Sequence, residues 1–232
     1  MNIYKGIAER WNPQKGLIVR LPKRGFITIP IDEISLYPLS KVDEFGIPLE
    51  VKSILGGKVV FCKKEDGTFS RKKVMQEDFK SIEIGDILKA SVYAITNIGV
   101  FLHYRTLIIF CPIFEISNCF VKQANEYFLK GQKVEVMVTS KPNESLYIIG
   151  SYKDTFDDDP FQYAVGDTLV CKVTKVHPHI QAYFLEITPA VKGLLDIYNC
   201  PIQLKYGDKI IATVKRITDK GIKVNFVKKL DS

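Results

Sequence analysis

Ile98 to Tyr104 reads IGVFLHY, a small residue followed by an alternating apolar run, the pattern of a half-buried strand. The same phrase stands as KGLIVRL from Lys15 and as QAYFLEI from Gln181, so Gly16, Gly99 and Ala182 follow one another at intervals of 83 residues. A second phrase, Lys-Val-x-Phe-x-Lys-Lys, occurs in GKVVFCKK at Gly57 to Lys64 and in IKVNFVKK at Ile222 to Lys229, 165 residues later. Its middle counterpart is YIIGSYK from Tyr147, delayed by the turn KPNES. A third phrase, Gly then apolar alternation, runs through FGIPLEVKSI, KGQKVEVMVTS and YGDKIIATVKRI. Three phrases in one order, with a shared period of about 80 residues, predict three copies of one domain.

Between these phrases the chain is dense in short β-branched and aromatic runs punctuated by Gly, Pro, Asn and Asp, with little helical periodicity. That pattern predicts an all-β protein of small barrels or sandwiches, with one short helical segment near KQANEYFLKG. Two stretches lack an apolar period and read as charged linkers: KKEDGTFSRKKVMQEDFKSIEIGD, and SYKDTFDDDPFQYAVGD with its Asp157, Asp158 and Asp159 run. The domain limits that follow are 1–66, 82–154 and 162–232.

With 232 residues, 46% of them hydrophobic, the chain is long enough to bury one sizeable core or several small ones. The first ten residues lack the basic start and apolar run of a signal peptide, and no apolar run is long enough to span a bilayer; a cytoplasmic location without a membrane partner is expected. Five cysteines, at 62, 111, 119, 171 and 200, are widely spaced with no C-x-x-C pair, which predicts reduced thiols and no metal site. The net charge of +7 favours acidic partners, but it is uneven: residues 1–80 carry +5, 81–155 carry 0 and 156–232 carry +2. The middle third therefore has no bulk charge with which to hold phosphate. Catalytic motifs, phosphate-binding glycine loops and carboxylate sets are absent from the sequence, so no catalytic residue and no cofactor is assigned.

Within each copy the order is a Gly-Asp strand, the small-residue strand, a third strand ending in EIS or similar, a variable stretch, then two closing strands. GDILKASVYAITNIGVFLHY, CPIFEIS, KGQKVEVMV and IGSYK carry this order in the middle copy; GDTLVCKVTKV and GDKIIATVKRI mark the third, and RGFITIPIDEIS the first. These residues resemble the S1 domain, the RNA-binding OB domain repeated in the largest protein of the small ribosomal subunit. The resemblance implies three tandem five-stranded OB barrels joined by short charged linkers. It also implies a non-enzymatic role in translation or RNA metabolism, with single-stranded RNA, single-stranded DNA or a ribosome-like assembly as partner. In that family two aromatics on the second strand, a His on the third and an Arg opening the fifth face the RNA. Carried over by position, these become Ile98, Phe101, Pro112 and Tyr147 in the middle copy; Gln181, Phe184, Asp196 and Lys223 in the third; and Lys15, Ile18, Thr28 and Lys58 in the first.

Sequence-independent binding of single strands needs aromatic platforms beside a basic track. Phe101 and Phe184 alternate with apolar neighbours, so each either stands on the sheet face for a base or packs the barrel. Lys89, Tyr93, Lys172 and Lys175 lie on the first strands, where they either flank the ring or form a solvated face. His103 and Tyr147 offer further rings. Trp11, the one indole, is expected in the core. The alternative to nucleic-acid binding is a scaffold of OB domains docking onto other proteins.

Overall fold

In the computed structural model, which describes residues 2–22, 25–143 and 147–230, the strands form three five-stranded sheets. The first holds β1 (Ile3–Asn12), β2 (Gly16–Leu21), β3 (Gly25–Ile29), β4 (Lys58–Lys63) and β5 (Phe69–Ser70). The second holds β6 (Ile87–Thr96), β7 (Gly99–Tyr104), β8 (Leu107–Pro112), β9 (Lys133–Ser140) and β10 (Ile148–Ser151). In the third are β11 (Thr168–His177), β12 (Ala182–Glu186), β13 (Lys192–Asp196), β14 (Lys209–Thr218) and β15 (Gly221–Lys229). The second and third sheets are closed barrels; the first has the same strand neighbours, β3-β2-β1-β4-β5, but stays open between β3 and β5.

The small residue of the IGVFLHY phrase has a steric cause. Gly16 and Gly99 sit at φ +110° and +149°, and a Cβ there would lie 2.1 Å from the Ile29 carbonyl oxygen and 2.3 Å from that of Cys111. In the third copy the strain moves one residue back, to Gln181 at φ +51°, and Ala182 is accommodated. Beyond this residue, alternation places Val100, Leu102, Tyr183 and Leu185 in the cores.

Pairing corrects the alignment of the first copy. β4 pairs with β1, as β9 pairs with β6 and β14 with β11, so GKVVFCKK is the fourth strand and not the fifth. The fifth is the two-residue β5, paired with β4 through Cys62 and Ser70, and the sheet therefore continues past residue 66. FGIPLEVKSI is not a strand; it holds a short helix, α1 (Leu49–Lys52). The stretch read as a linker without an apolar period contains α2 (Lys72–Lys80), whose Val74, Met75 and Phe79 are buried. KQANEYFLKG contributes a single 3-10 turn at Ala124–Glu126.

Two compact units emerge from the contacts. One comprises residues up to 84 with 103–108 and 141–148; its sheet core is built on Leu17, Val19, Ile29, Phe61 and their neighbours, against which Trp11 packs part-buried. The other unit comprises 85–102, 109–140 and everything from 149 onward. Inside this second unit a polar seam joins the 113–127 segment to the third barrel. Buried Glu186 accepts from the Ser117 hydroxyl and from Tyr127 O–H at 2.6 Å, and Asn118 donates its backbone N–H to Pro189 O at 2.7 Å. Glu126 accepts from Lys172 at 2.6 Å and from Tyr206 O–H at 2.8 Å. All five cysteines are free; burial pushes the Cys111 and Cys171 thiols up to about 12, which keeps them protonated and unreactive.

Candidate nucleic-acid interface

Register brings the separated residues of the third barrel into one row. Lys175 on β11 is the Cα partner of Phe184 on β12, Phe184 of Leu194 on β13, and Leu194 of Lys223 on β15. Directly opposed residues project on the same face, so four adjacent strands present a cation, a ring, an aliphatic side chain and a second cation. Their sequence neighbours Leu185, Leu195, Ile222 and Val224 are buried, which leaves this face for solvent. Phe184, Leu194 and Lys223 also line a largely apolar groove of about 350 Å³ whose rim carries Lys192 and Lys220. The His177 ring lies 6.1 Å from that of Phe184 and extends the aromatic surface toward β11.

The second barrel has rings at the corresponding place but not the cations. Phe101 on β7 and Phe110 on β8 stack with centroids 4.8 Å apart and planes tilted by 31°, both half-buried between fully buried neighbours. Strand pairing puts Ile149 where the third barrel has Lys223, because Ile149 faces Ser140 as Lys223 faces Arg216. Tyr147 is thus two residues off the position carried over to it; its ring packs edge-on to Tyr37 at 5.0 Å. Lys89, on β6, is exposed and lies 3.4 Å from Glu135, its partner on β9, while Tyr93 is half-buried.

In the first sheet the row is Arg10, Ile18 and Thr28, with no ring. Thr28 matches Phe110 and Leu194; the counterpart of Pro112 and Asp196, each capping a 3-10 helix, is Pro30. Lys15 sits exposed in the Asn12–Gly16 turn, its N–H bonded to Asn12 Oδ1 at 2.9 Å. Lys58 opens the fourth strand, so it has no positional equivalence to Lys223. His103 is half-buried, and burial together with the Arg71 charge holds its imidazole below the ordinary range. Lys172 belongs to the seam: its ammonium is neutralised by Glu126 and lies 4.6 Å from the centre of the Tyr127 ring.

The structure thus brings Lys175, Phe184 and Lys223 together on the third barrel's outer face and sets Phe101 on that of the second, while Lys15, Lys58, Lys89, Tyr93, His103, Tyr147 and Lys172 lie outside both rows. Phe110, His177, Lys192, Leu194 and Lys220 join the two faces without having been singled out from sequence. Phe110 alone had a readable signal, as the outward residue between Ile109 and Cys111 in LIIFCPIF. Among the described residues there is no cluster of His, Cys, Asp or Glu suited to a metal, and no helix is long and apolar enough to cross a membrane.

The family model described as S1 RNA binding domain matches residues 81–153. The small ribosomal subunit protein bS1 of Staphylococcus haemolyticus is 27% identical over 201 residues, covering 78% of this chain and 48% of that protein. That of Leuconostoc lactis is 29% identical over 148 residues, covering 59% of this chain and 34% of its own length. The chain spans about half the length, or less, of these curated relatives. Among solved structures, the solution structure of GSP13 from Bacillus subtilis aligns with a TM-score of 0.31 and 26% identity, over 32% of this chain and 58% of that one. From the matched residues and the strand order, residues 81–153 are similar to the S1 RNA binding domain, and the chain resembles a tandem array of S1-type OB domains.

Proposed function

We propose that this protein binds single-stranded RNA, without catalysis, through the outward faces of its second and third barrels. The observation that carries the reading is the row Lys175, Phe184, Leu194 and Lys223, which sets a stacking ring between two cations. Bases stack on such rings whatever their sequence, at about 1–3 kcal/mol each, while flanking lysines neutralise phosphates. Phe101 with Phe110 supplies a second platform inside the segment matched by the S1 family model. The role that fits is a cytoplasmic factor of translation or RNA metabolism, with the ribosome or another nucleoprotein assembly as the larger partner. Support for this is the likeness to ribosomal bS1 proteins.

The test is a titration of the full chain with labelled single-stranded RNA, single-stranded DNA and duplex RNA. RNA single strands should bind at least as tightly as DNA and more tightly than duplex, and Phe101→Ala with Phe110→Ala should weaken them by about 1–3 kcal/mol. Equal affinity for duplex, or no binding at low salt, would overturn the proposal. The second outcome would favour a protein-docking module, for which the exposed Phe114 and Phe120 along an apolar cleft of about 360 Å³ provide a surface.

A further inference from the structure

A separate pocket of about 160 Å³ lies in the unit formed by residues up to 84 with 103–108 and 141–148. Its lining includes the cations Lys58, Arg71 and Arg105, the ring of His103, and Glu50 as the one carboxylate. This composition is lopsided in charge, and among the described residues three cations of the lining are met by two carboxylates, Glu50 and Asp78.

Arg71 is 6% exposed. Its guanidinium donates to the carbonyl oxygens of Ile34 at 3.0 Å and Thr106 at 3.3 Å, which satisfy N–H groups but cancel no charge. Its ion pair among the described residues is with Glu50 Oε1, at 3.8 Å and without a hydrogen bond. Burial pushes the Glu50 carboxyl up, against the pull of Arg71 and of the Ser35 hydroxyl, so its negative charge is itself disfavoured. Arg105 stands 3.6 Å from Asp78, again beyond hydrogen-bond distance. A buried charge ordinarily has a close, hydrogen-bonded counter-charge. Lys58, Arg71 and Arg105 thus line one cavity, where Glu50 and Asp78 pair with the two guanidiniums beyond hydrogen-bond distance, and beside buried Arg71 a charge on an entering ligand is felt more strongly than in water. Guanidinium groups favour planar, two-point contact with phosphoryl oxygens, and the His103 ring lines the same wall.

We propose that this pocket is an anion site for a phosphoryl group, carried by an RNA backbone or by a free nucleotide, distinct from the ring-and-lysine faces of the second and third barrels. The pocket's size suits a phosphate with part of its sugar; the stacking face is elsewhere.

The experiment follows the His103 imidazole resonances by NMR in the full chain, during titration with inorganic phosphate, AMP and a 5′-phosphorylated single-stranded hexanucleotide. Saturable shifts are expected with at least one of these probes, and Lys58→Glu and Arg105→Glu should each weaken that response about 10-fold or more. Phe184→Ala should leave it unchanged, which separates this site from RNA binding on the barrel face. A response to all three probes assigns a free nucleotide or phosphate as ligand, and a response to the hexanucleotide alone assigns the RNA backbone. Unmoved His103 signals with every probe, or shifts that survive both charge reversals, would overturn the proposal.

Discussion

Phe184 and Tyr183 are adjacent aromatic residues with opposite orientations, and this settles which of them fills the core. Tyr183 is 3% exposed, packs in the third barrel's cluster and accepts the Leu204 N–H at 3.2 Å through its hydroxyl. Phe184 stands on the outer face between Lys175 and Leu194. Phe184→Ala should therefore weaken single-stranded RNA by about 1–3 kcal/mol with little change in melting temperature. Tyr183→Ala should cost about 3–5 kcal/mol of folding stability and affect binding only through the unfolded fraction. Calorimetric melting beside a binding titration checks both, and a large melting loss for Phe184→Ala would remove the stacking role. The ring's orientation was legible in sequence only as a choice, because Tyr-Phe in a strand does not state which residue faces in.

At the scale of elements, the second-strand phrase was readable because its glycine answers a steric demand local to that strand. The fourth and fifth strands were not distinguishable, since both alternate inward Val and Phe with outward Lys and period-two alternation does not encode a strand's neighbour. The first copy also starts its fourth strand 42 positions after its small residue, where the second copy has 34 and the third 27, so β4 drifted onto the spacing expected of a closing strand. Helix α2 escaped notice because its buried Val74, Met75 and Phe79 are embedded among charged residues. Met75 is fully buried, so Met75→Ala should lower stability by about 2–5 kcal/mol, measurable by denaturant unfolding, an effect that a solvated linker would not show. In the third barrel, Asp208 accepts from the Lys205 N–H and pairs with Lys229 at 2.9 Å, tying the start of β14 to the end of β15. Burial would raise its carboxyl, but the hydrogen bonds and charges of Lys229 and Lys205 outweigh that and hold it below the usual range. A depressed folded-state value stabilises above the unfolded carboxylate range, near 4, and that contribution disappears as pH falls through the folded value. Thermal melts should therefore show wild type losing more stability than Asp208→Asn between about pH 5 and pH 2.

Across the whole molecule, the division of charge read from the sequence agrees with the two kinds of face: the neutral middle third has paired rings, and the basic final third has rings with lysines. If Lys175, Lys192, Lys220 and Lys223 each meet a phosphate, the logarithm of the binding constant should fall with the logarithm of salt at a slope of about −3. Replacing Lys175 and Lys223 with Ala should flatten that slope by about 1.4, and an unchanged slope would place the phosphates elsewhere. The seam around Glu186 also bears on how the protein is made. Ser117 and its acceptor are 69 residues apart in the chain, and at roughly 5–20 residues per second of synthesis the carboxylate arrives roughly 3 to 14 s after the hydroxyl it will bind. Through that interval the second barrel's Ser117 and Tyr127 hydroxyls are left to water, and a nascent chain halted before residue 186 can close its middle barrel while the seam stays unmade.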